Sequence, residues 1–295
     1  MGSSSGSSEC VALMALLCLS FVVGGQALLS DEFNTWQPQY VNYWTNGKGL
    51  TLTLDQGNSA AGCGSKDSYL YGSFGAWIKL PGGNAAGTVA TLYLSSPFPD
   101  QCEFDLEFLG HLEGRPRKIH TNVFVDGKGG MEQQIYMPGD FDPTAAYHYY
   151  SFEWHSDMVV FYVDWKPIRM FKNLQGTVPG FNYCNHKAMS LYLSIWDGSN
   201  WATEGGSIKL DWNAAPFQCH YTDFVMNGCK VNSWDTNAIS ACQQSSYATG
   251  PGVTPEQWQY MESIKNNATL VKYNYCTDYA RYPQGTRPEC QYNAM

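Results

Sequence analysis

The sequence carries little charge for its length. Asp, Glu, Lys and Arg make up only 15% of its 295 residues, against about 25% in an average protein. The Lys and Arg residues form no cluster, and the net charge at pH 7 is -9. These features argue against binding to nucleic acid or to an anionic membrane surface. In place of charge the chain has 10 Trp and 20 Tyr, which favours an uncharged ligand held by aromatic rings.

Motifs for metal and nucleotide chemistry are also absent. The sequence has no CxxC pair, no HExxH and no cluster of His residues, so a zinc site lacks ligands at suitable spacing. It also lacks GxGxxG and the phosphate-binding pattern GxxxxGK, from which nucleotide binding would be argued. We expect neither a metal nor a cofactor.

An apolar run near the N-terminus, Val11 to Val23, predicts a secretory signal peptide. The run is short for a membrane span and is followed by small residues at Gly25 and Ala27, so we expect residues 1–27 to be removed. The segment before it has no Lys or Arg, which leaves a buried N-terminal helix or an uncleaved anchor as alternatives. Cleavage would leave eight of the ten cysteines, and an even number in a secreted chain favours disulfide bonds.

From about Leu50 to Phe224 the chain reads as a series of short antiparallel strands and predicts an all-β sandwich or barrel. Runs rich in Val, Ile, Thr, Tyr and Phe alternate with Gly, Pro, Asn and Asp: Leu50–Leu54, Ser73–Leu80, Thr88–Leu94, Ile119–Val125, Tyr147–Trp154, Met158–Trp165 and Met189–Ile195. After Phe224 we predict loops and one helix, capped at Thr254 and docked through Trp258, Met261 and Ile264.

The most informative segment is Gln101–Gly110, in which acidic and apolar residues alternate. On a strand, Glu103, Asp105 and Glu107 would share one face and the intervening apolar residues the other. Three carboxylates in a row repel each other, so the pattern is hard to explain as a stabilising one. An acidic edge strand or a cation site is the alternative to a catalytic role.

Glycoside hydrolysis provides a chemical reason for crowded carboxyl groups, because it needs one neutral and one ionised carboxyl beside the scissile bond. A retaining mechanism needs them about 5 to 5.5 Å apart, whereas residues four apart on a strand have Cα atoms roughly 13 Å apart. Glu103 and Glu107 would have to lean toward each other, which glutamate is long enough to do. Asp105 would then tune and orient them.

The same residues resemble a known family. EFDLEFLG is similar to the ExDxE signature of glycoside hydrolase family 16, and the chain from about Ser30 to Cys290 resembles the plant xyloglucan endotransglucosylase/hydrolases. Further similar segments are Tyr71–Gly75, Ile78–Pro81, His120–Phe124, Phe141–Thr144, Val163–Asp164, Pro167–Arg169, Trp196, Trp201–Thr203, Asp211–Trp212, Ala215–Phe217 and Tyr273–Asp278.

This resemblance implies a curved β-jelly-roll sandwich of the concanavalin A type. It divides the chain into a signal peptide over 1–27, a catalytic domain over 28–224, and a C-terminal extension over 225–295 that contains a short helix and lengthens the acceptor side of the cleft. It makes Glu103 the nucleophile, Asp105 its helper and Glu107 the acid/base. The implied substrate contacts are Tyr93, His120, Asn122, Gln134, Trp196, Trp201, Tyr273 and Arg281.

The resemblance also implies two disulfide bonds in the extension, Cys229 to Cys242 and Cys276 to Cys290. Cys63, Cys102, Cys184 and Cys219 are additional, and a bond between Cys102 and Cys63 is one possibility. Asn267 begins the only N-glycosylation pattern, Asn-Ala-Thr. The segment Ala61–Lys66 departs from the family pattern Gly-Phe-Gln-Ser-Lys. Tyr136–Phe141 lacks the Trp that commonly precedes Phe-Asp-Pro in the family.

We therefore expect a secreted, monomeric, retaining endo-transglucosylase of the plant cell wall and apoplast. Its partners would be a polysaccharide donor and an oligo- or polysaccharide acceptor: xyloglucan, with mixed-linkage glucan or cellulose as alternative donors because of the two departures. A hydrolase of the same substrates is the second hypothesis. A carbohydrate-binding jelly roll without catalysis is the third, and the row of repelling acids argues against it.

Overall fold

The computed structural model describes residues 28–139, 141–231, 235–285 and 287–293. The predicted signal peptide, residues 1–27, lies outside these ranges. Among the described residues, no helix is both long and apolar enough to cross a bilayer.

Two antiparallel sheets form a jelly-roll sandwich. Its strands are β1 Phe33–Trp36, β2 Val41–Tyr43, β3 Gly49–Leu54, β4 Ala60–Ser65, β5 Tyr69–Lys79, β6 Thr88–Ser95, β7 Glu103–Leu109, β8 Lys118–Phe124, β9 Gln133–Tyr136, β10 His148–Trp154, β11 Met158–Val163, β12 Lys166–Lys172, β13 Ser190–Asp197, β14 Phe217–Lys230 and β15 Val271–Asn274. The helices are α1 Leu29–Glu32, α2 Thr236–Gln243 and α3 Pro255–Lys265.

One sheet has eight strands in the order β1-β4-β13-β6-β7-β8-β9-β15, and the other has seven in the order β12-β11-β10-β5-β14-β3-β2. Alternate residues of each sheet, such as Leu52, Phe74, Leu106 and Phe152, are fully buried in the layer between them. Alternation along a strand sends apolar side chains into this core and leaves the next ones on the outer face. The predicted all-β sandwich is confirmed, and each of the seven predicted runs coincides with a strand.

The predicted strand Met158–Trp165 ends two residues early, at Val163. Asp164 and Trp165 have φ angles of 46° and 61° and form the tight turn into β12. Two positive φ values match a type I′ hairpin turn, a conformation that Gly and Asn adopt more readily than Trp. Asp164 is a single turn-forming residue, and the Trp165 that follows is typical of strands, so the sequence-based prediction continues the strand through both.

The C-terminal extension contains one helix more than predicted. The predicted helix is α3, where Thr254 and Gln257 form a capping box. Met261 of α3 packs against Val160, Tyr162 and Met170 on the outer face of the seven-stranded sheet, as the docking prediction required. The additional helix, α2, starts where the side chain of Asp235 accepts hydrogen bonds from two backbone amides, and it buries only Ile239 and Cys242.

The division at residue 224 stays a prediction. Strand β14 runs through that position, from Phe217 to Lys230, and pairs with β3 before it and β5 along most of its length. The extension also contributes β15 to the edge of the eight-stranded sheet, next to β9. Chain from both sides of residue 224 therefore takes part in the same two sheets.

The cysteine pairs of the extension are those that the resemblance implied, Cys229–Cys242 and Cys276–Cys290. A third disulfide joins Cys102 to Cys184, so the possible bond between Cys102 and Cys63 is wrong. Cys63 lies on β4, three strands away from β7, and a separation of roughly 14 Å exceeds the reach of a disulfide. Cys63 and Cys219 are buried free thiols.

Candidate active site

The acidic strand β7 lies between β6 and β8 in the eight-stranded sheet. Phe104, Leu106 and Phe108 point into the core. The acidic side chains point to the opposite face, which we call the carboxylate face. Directly paired residues of antiparallel strands lie on the same face, so each acid has two neighbours there. These are Ser95 and Phe124 for Glu103, Tyr93 and Asn122 for Asp105, and Thr91 and His120 for Glu107.

The three acids line one open cavity on this face. Other side chains of β6, β8, β13 and the loop before β7 surround it: Thr91, Tyr93, Phe98, Asn122, Phe124, Ser194 and Trp196. Glu103 and Asp105 keep 9% and 7% of their surface exposed, so they touch the cavity but little bulk water. The site combines crowded carboxyl groups with low solvation, and both conditions perturb proton affinity.

Burial raises the pKa of Asp105 well above its usual value, and the neighbouring Glu103 and Glu107 raise it further. Burial also raises the pKa of Glu103, and hydrogen bonding with Ser95 and Asp105 offsets part of this increase, so the pKa stays above its usual value. Asp105 is thus the proton donor to Glu103. The hydrogen bond with Asp105 favours the anionic form of Glu103, which is the form that a nucleophile requires.

Glu107 is held in its neutral form. Burial, followed by the charges of Glu103 and Glu132, raises the pKa of Glu107 to about 8. A carboxyl group with that pKa is mostly protonated at pH 7 and can donate its proton to a leaving group. The two ends of the strand therefore differ: hydrogen bonding favours the anion at Glu103, whereas burial and neighbouring charge keep the proton on Glu107.

His120 contacts Glu107 from the neighbouring strand. Burial lowers the pKa of His120 to about 4, so the imidazole is neutral and its contact with Glu107 is no ion pair. The Gln134 side-chain amide donates to Nδ1 of His120 over 3.0 Å. This fixes the ring hydrogen on Nε2, which lies 3.5 Å from Oε2 of Glu107. The predicted contacts His120 and Gln134 thus form one chain with the candidate acid.

The remaining predicted substrate residues of the catalytic region lie around the same cavity. Tyr93, Asn122 and Trp196 line it. Trp201 stands 6.1 Å from Trp196 between ring centroids and 5.2 Å from the His120 ring. The side-chain oxygen Oδ1 of Asn122 accepts hydrogen bonds from the backbone amides of residues 123 and 131, which fixes the orientation of the Asn122 side chain.

The extension brings its two predicted contacts to the same face. Tyr273 on β15 pairs with Gln134, and its hydroxyl donates to Asp278 over 2.8 Å. Nη1 of Arg281 lies 2.8 Å from Glu132 and 3.5 Å from the Tyr273 hydroxyl. Glu132 was not predicted. Its isolated carboxylate in the segment before β9 gave no pattern in the sequence.

One further group in the described part of the chain has the spacing of metal ligands: Cys102, Asp126 and His186. Two contacts argue against a metal there. The Cys102 sulfur is bonded to Cys184, and the ammonium of Lys187 lies 2.7 Å from Asp126. The group is therefore explained by a disulfide bond and a neighbouring salt bridge at the start of β7.

Two family models match the sequence. Residues 29–214, more than half of the chain, match Glycosyl hydrolases family 16, so the chain belongs to glycosyl hydrolase family 16. Residues 232–290 match the model described as Xyloglucan endo-transglycosylase (XET) C-terminus.

Among individual proteins, the chain is 41% identical to Xyloglucan endotransglucosylase protein 7 of Diospyros kaki, covering 89% of this chain and 96% of that one. It is 40% identical to Xyloglucan endotransglucosylase/hydrolase protein A of Phaseolus angularis, covering 95% and 96%. Among solved structures, the Bacillus licheniformis beta-glucanase aligns with a TM-score of 0.51 at 19% identity, over 67% of this chain and 92% of that one. That likeness supports the fold.

Proposed function

We propose that the protein is a retaining endo-transglucosylase that cleaves and religates xyloglucan or a related β-1,4-glucan. The observation that carries the proposal is that Glu103, Asp105 and Glu107 lie in a row on one face of β7 and line one cavity. Burial and neighbouring charges raise the pKa of Glu107 to about 8, which keeps it protonated at pH 7, and the hydrogen bond with Asp105 favours the ionised form of Glu103. A retaining glycosidase needs one proton donor and one carboxylate nucleophile on the same side of its substrate.

In the first step, the Glu103 carboxylate attacks the anomeric carbon of the donor. The glycosidic bond breaks, and Glu107 gives its proton to the departing oxygen. The product is a glycosyl ester on Glu103. Asp105, buried between the two glutamates, orients Glu103 through its hydrogen bond. The neutral His120 directs its Nε2 hydrogen to Glu107.

In the second step, Glu107 is ionised and removes the proton from the 4-hydroxyl of an incoming glucan chain. The hydroxyl oxygen attacks the anomeric carbon, the bond between that carbon and the Glu103 oxygen breaks, and the new glycosidic bond forms while Glu103 returns to its carboxylate form. If water takes the place of the sugar, the same step is hydrolysis. The β15 edge, with Gln134, Tyr273 and Arg281, provides polar groups to hold a sugar acceptor in place of water.

The names of the relatives favour xyloglucan as the donor and acceptor. Mixed-linkage glucan or cellulose is an alternative donor, because the Ala61–Lys66 and Tyr136–Phe141 segments depart from the family pattern. A hydrolase is the second candidate function. The segment Gly127–Phe141 has no long insertion of the kind seen in the family's dedicated hydrolases, which favours transfer.

We propose secretion to the cell wall or apoplast and a monomeric state. Three disulfide bonds support an oxidising compartment. Asn267 lies in a turn where its side chain accepts hydrogen bonds from Thr269, and glycosylation there stays a prediction.

The test mixes the protein with xyloglucan, mixed-linkage glucan or cellulose, with and without a labelled xyloglucan oligosaccharide. Label that enters the polymer supports transfer. Falling polymer size without incorporation would support the hydrolase, and binding without either change would leave a carbohydrate-binding protein. The donor that gives the fastest incorporation identifies the preferred substrate.

A further inference from the structure

We propose that Trp36 and Tyr192, laid onto glycine positions of β4, continue the Tyr93 surface and form the floor of the donor side of the cleft. They would hold the main chain of a β-1,4-linked glucan by ring stacking. The proposal rests on the proposed transglucosylase function, because it assigns the two sides of that site.

Strand register places these rings on the carboxylate face. One row of directly paired residues crosses all eight strands through Glu107: Trp36, Gly62, Ser194, Thr91, Glu107, His120, Gln134 and Tyr273. The next row crosses it through Asp105: Asn34, Gly64, Tyr192, Tyr93, Asp105 and Asn122. The carboxylate face thus has a β1 half, from β6 to β1, and a β15 half, from β8 to β15.

The two glycines are what allow the rings to lie low on the sheet. A Cβ atom on Gly64 would stand 2.3 Å from the Tyr192 ring, and one on Gly62 would stand 2.2 Å from the Trp36 indole. Both separations are far below van der Waals contact, so a side chain at either position would displace the ring. Each ring is therefore packed directly on the backbone of β4.

The rings form a continuous series that leads to the acids. Tyr192 stacks on Tyr93 with centroids 5.1 Å apart and planes inclined by 20°. Trp36 follows, 6.3 Å from Tyr192. Tyr93 in turn lines the cavity that holds Asp105. Trp36 remains 36% exposed, so it is open to a ligand rather than closed into the core.

The chemistry of the β1 half suits an uncharged chain. Its two rows contain Asn, Gly, Ser, Thr, Tyr and Trp and no charged side chain. Pyranose rings present apolar C–H faces that pack on aromatic rings, and their hydroxyls need only neutral partners. The β15 half, with the Glu132–Arg281 pair, is the acceptor side in the proposed function. The donor chain therefore extends over the β1 half.

The test uses three single variants of the full chain, Trp36→Ala, Tyr192→Ala and Gly64→Ala, with Trp165→Ala as the matched control. Trp165 is 62% exposed in the β11–β12 turn of the other sheet. Gly64 is chosen over Gly62 because the atoms close to its added Cβ all belong to the Tyr192 side chain, whereas Gly62 also approaches a backbone carbonyl. Thermal unfolding verifies that each variant folds.

We expect Trp36→Ala and Tyr192→Ala to raise the KM for the donor polymer about threefold to tenfold, with the KM for the acceptor oligosaccharide unchanged. Gly64→Ala should raise the donor KM as well, and should add nothing when combined with Tyr192→Ala, because it acts by moving that ring. Trp165→Ala should behave as the unaltered protein. Unchanged donor KM in both ring variants, or a rise in acceptor KM instead, would overturn the proposal.

Binding distinguishes this proposal from the proposed function. In a Glu103→Ala background, which cannot turn over, affinity electrophoresis in gels containing xyloglucan or mixed-linkage glucan measures polymer binding alone. The ring variants should weaken that binding by a similar factor. If the unaltered protein transfers no label but Trp36→Ala weakens polymer binding, the transglucosylase function is contradicted and the aromatic floor is supported. If the protein transfers label but the ring variants bind the polymer normally, the aromatic floor is contradicted and the transglucosylase function is supported.

Discussion

The two halves of the carboxylate face present different kinds of side chain. The β15 half has directional and charged groups, namely His120, Gln134 and the Glu132–Arg281 ion pair. The β1 half has aromatic rings packed on glycine backbone and no charged side chain in its two rows. Hydrogen bonds select the orientation of a hydroxyl, whereas stacking tolerates sliding of a uniform chain. An endo-acting transferase needs the second property for its donor and the first for the hydroxyl that attacks.

The largest expected effect comes from removing the carboxylate of Glu103, the proposed nucleophile, which lies between the two halves. Glu103→Ala should lower kcat by about 10⁴-fold or more, because no covalent intermediate can form. Polymer binding should persist on both sides, since neither half loses a contact. Turnover assays with saturating donor and acceptor measure the loss. Near-normal turnover of a folded Glu103→Ala protein would contradict the assigned nucleophile.

The second effect concerns the proton at Glu107. Its pKa, raised to about 8, means that the neutral form needed for the first step is lost as pH rises through that value. The rate with a saturating donor should therefore fall above about pH 8. Glu107→Gln should lower kcat by about 10²–10⁴-fold and remove this pH dependence. A rate that stays constant up to pH 10 in the unaltered enzyme would assign the acid to another group.

The third prediction separates the stability of the protein from substrate binding by the two halves. The Cys102–Cys184 bond ties the residue before Glu103 to a loop 82 residues away in sequence. Replacing both cysteines with serine should lower the free energy of unfolding by about 2–4 kcal/mol. Denaturant unfolding measures this, with Cys63→Ala as the control for a buried free thiol. The ratio of donor KM to acceptor KM should not change, because the bond lies at the start of β7, which belongs to neither the β1 half nor the β15 half.

The smallest effect should be confined to the β15 half. Arg281→Ala should raise the acceptor KM about twofold to tenfold, the range expected for one or two lost hydrogen bonds, and leave the donor KM unchanged. Losing Arg281 also leaves the charge of Glu132 unpaired. Because Glu132 raises the pKa of Glu107, the alkaline limb of the rate profile should move to higher pH. A variant that impairs donor and acceptor equally would contradict the division into halves.

Features encoded within short stretches could be predicted from the sequence. The alternation in β7 is complete within seven residues, and the capping box of α3 lies within four. Both depend on local periodicity and on hydrogen bonds between near neighbours, so the sequence alone contains the information. The placement of the three acids on one face of a strand and the docking of α3 were therefore predictable from the sequence.

Features that depend on strand register could not be predicted. Trp36 meets Gly62 and Tyr192 meets Gly64 only because β1, β4 and β13 are adjacent in the sheet, an order unrelated to their order in the chain. No predicted strand covers the Gly-Cys-Gly segment of β4, since glycine weakens a strand and usually marks a turn. Phe98 and Glu132 lie outside any periodic pattern, and the partner of Cys102 is equally remote in sequence.

The pairing of β15 with β9 has a consequence for solubility. Without β15, the backbone amides and carbonyls along one side of β9 would form the open margin of a large sheet, where another chain could add as a strand. The C-terminal segment moves that margin outward to β15, a four-residue strand whose register with β9 shifts between Val271 and Tyr273 and which precedes the Cys276–Cys290 bond. A short edge strand with an irregular register is a poorer template for a second chain, and this effect on association is independent of any sugar that the extension contacts.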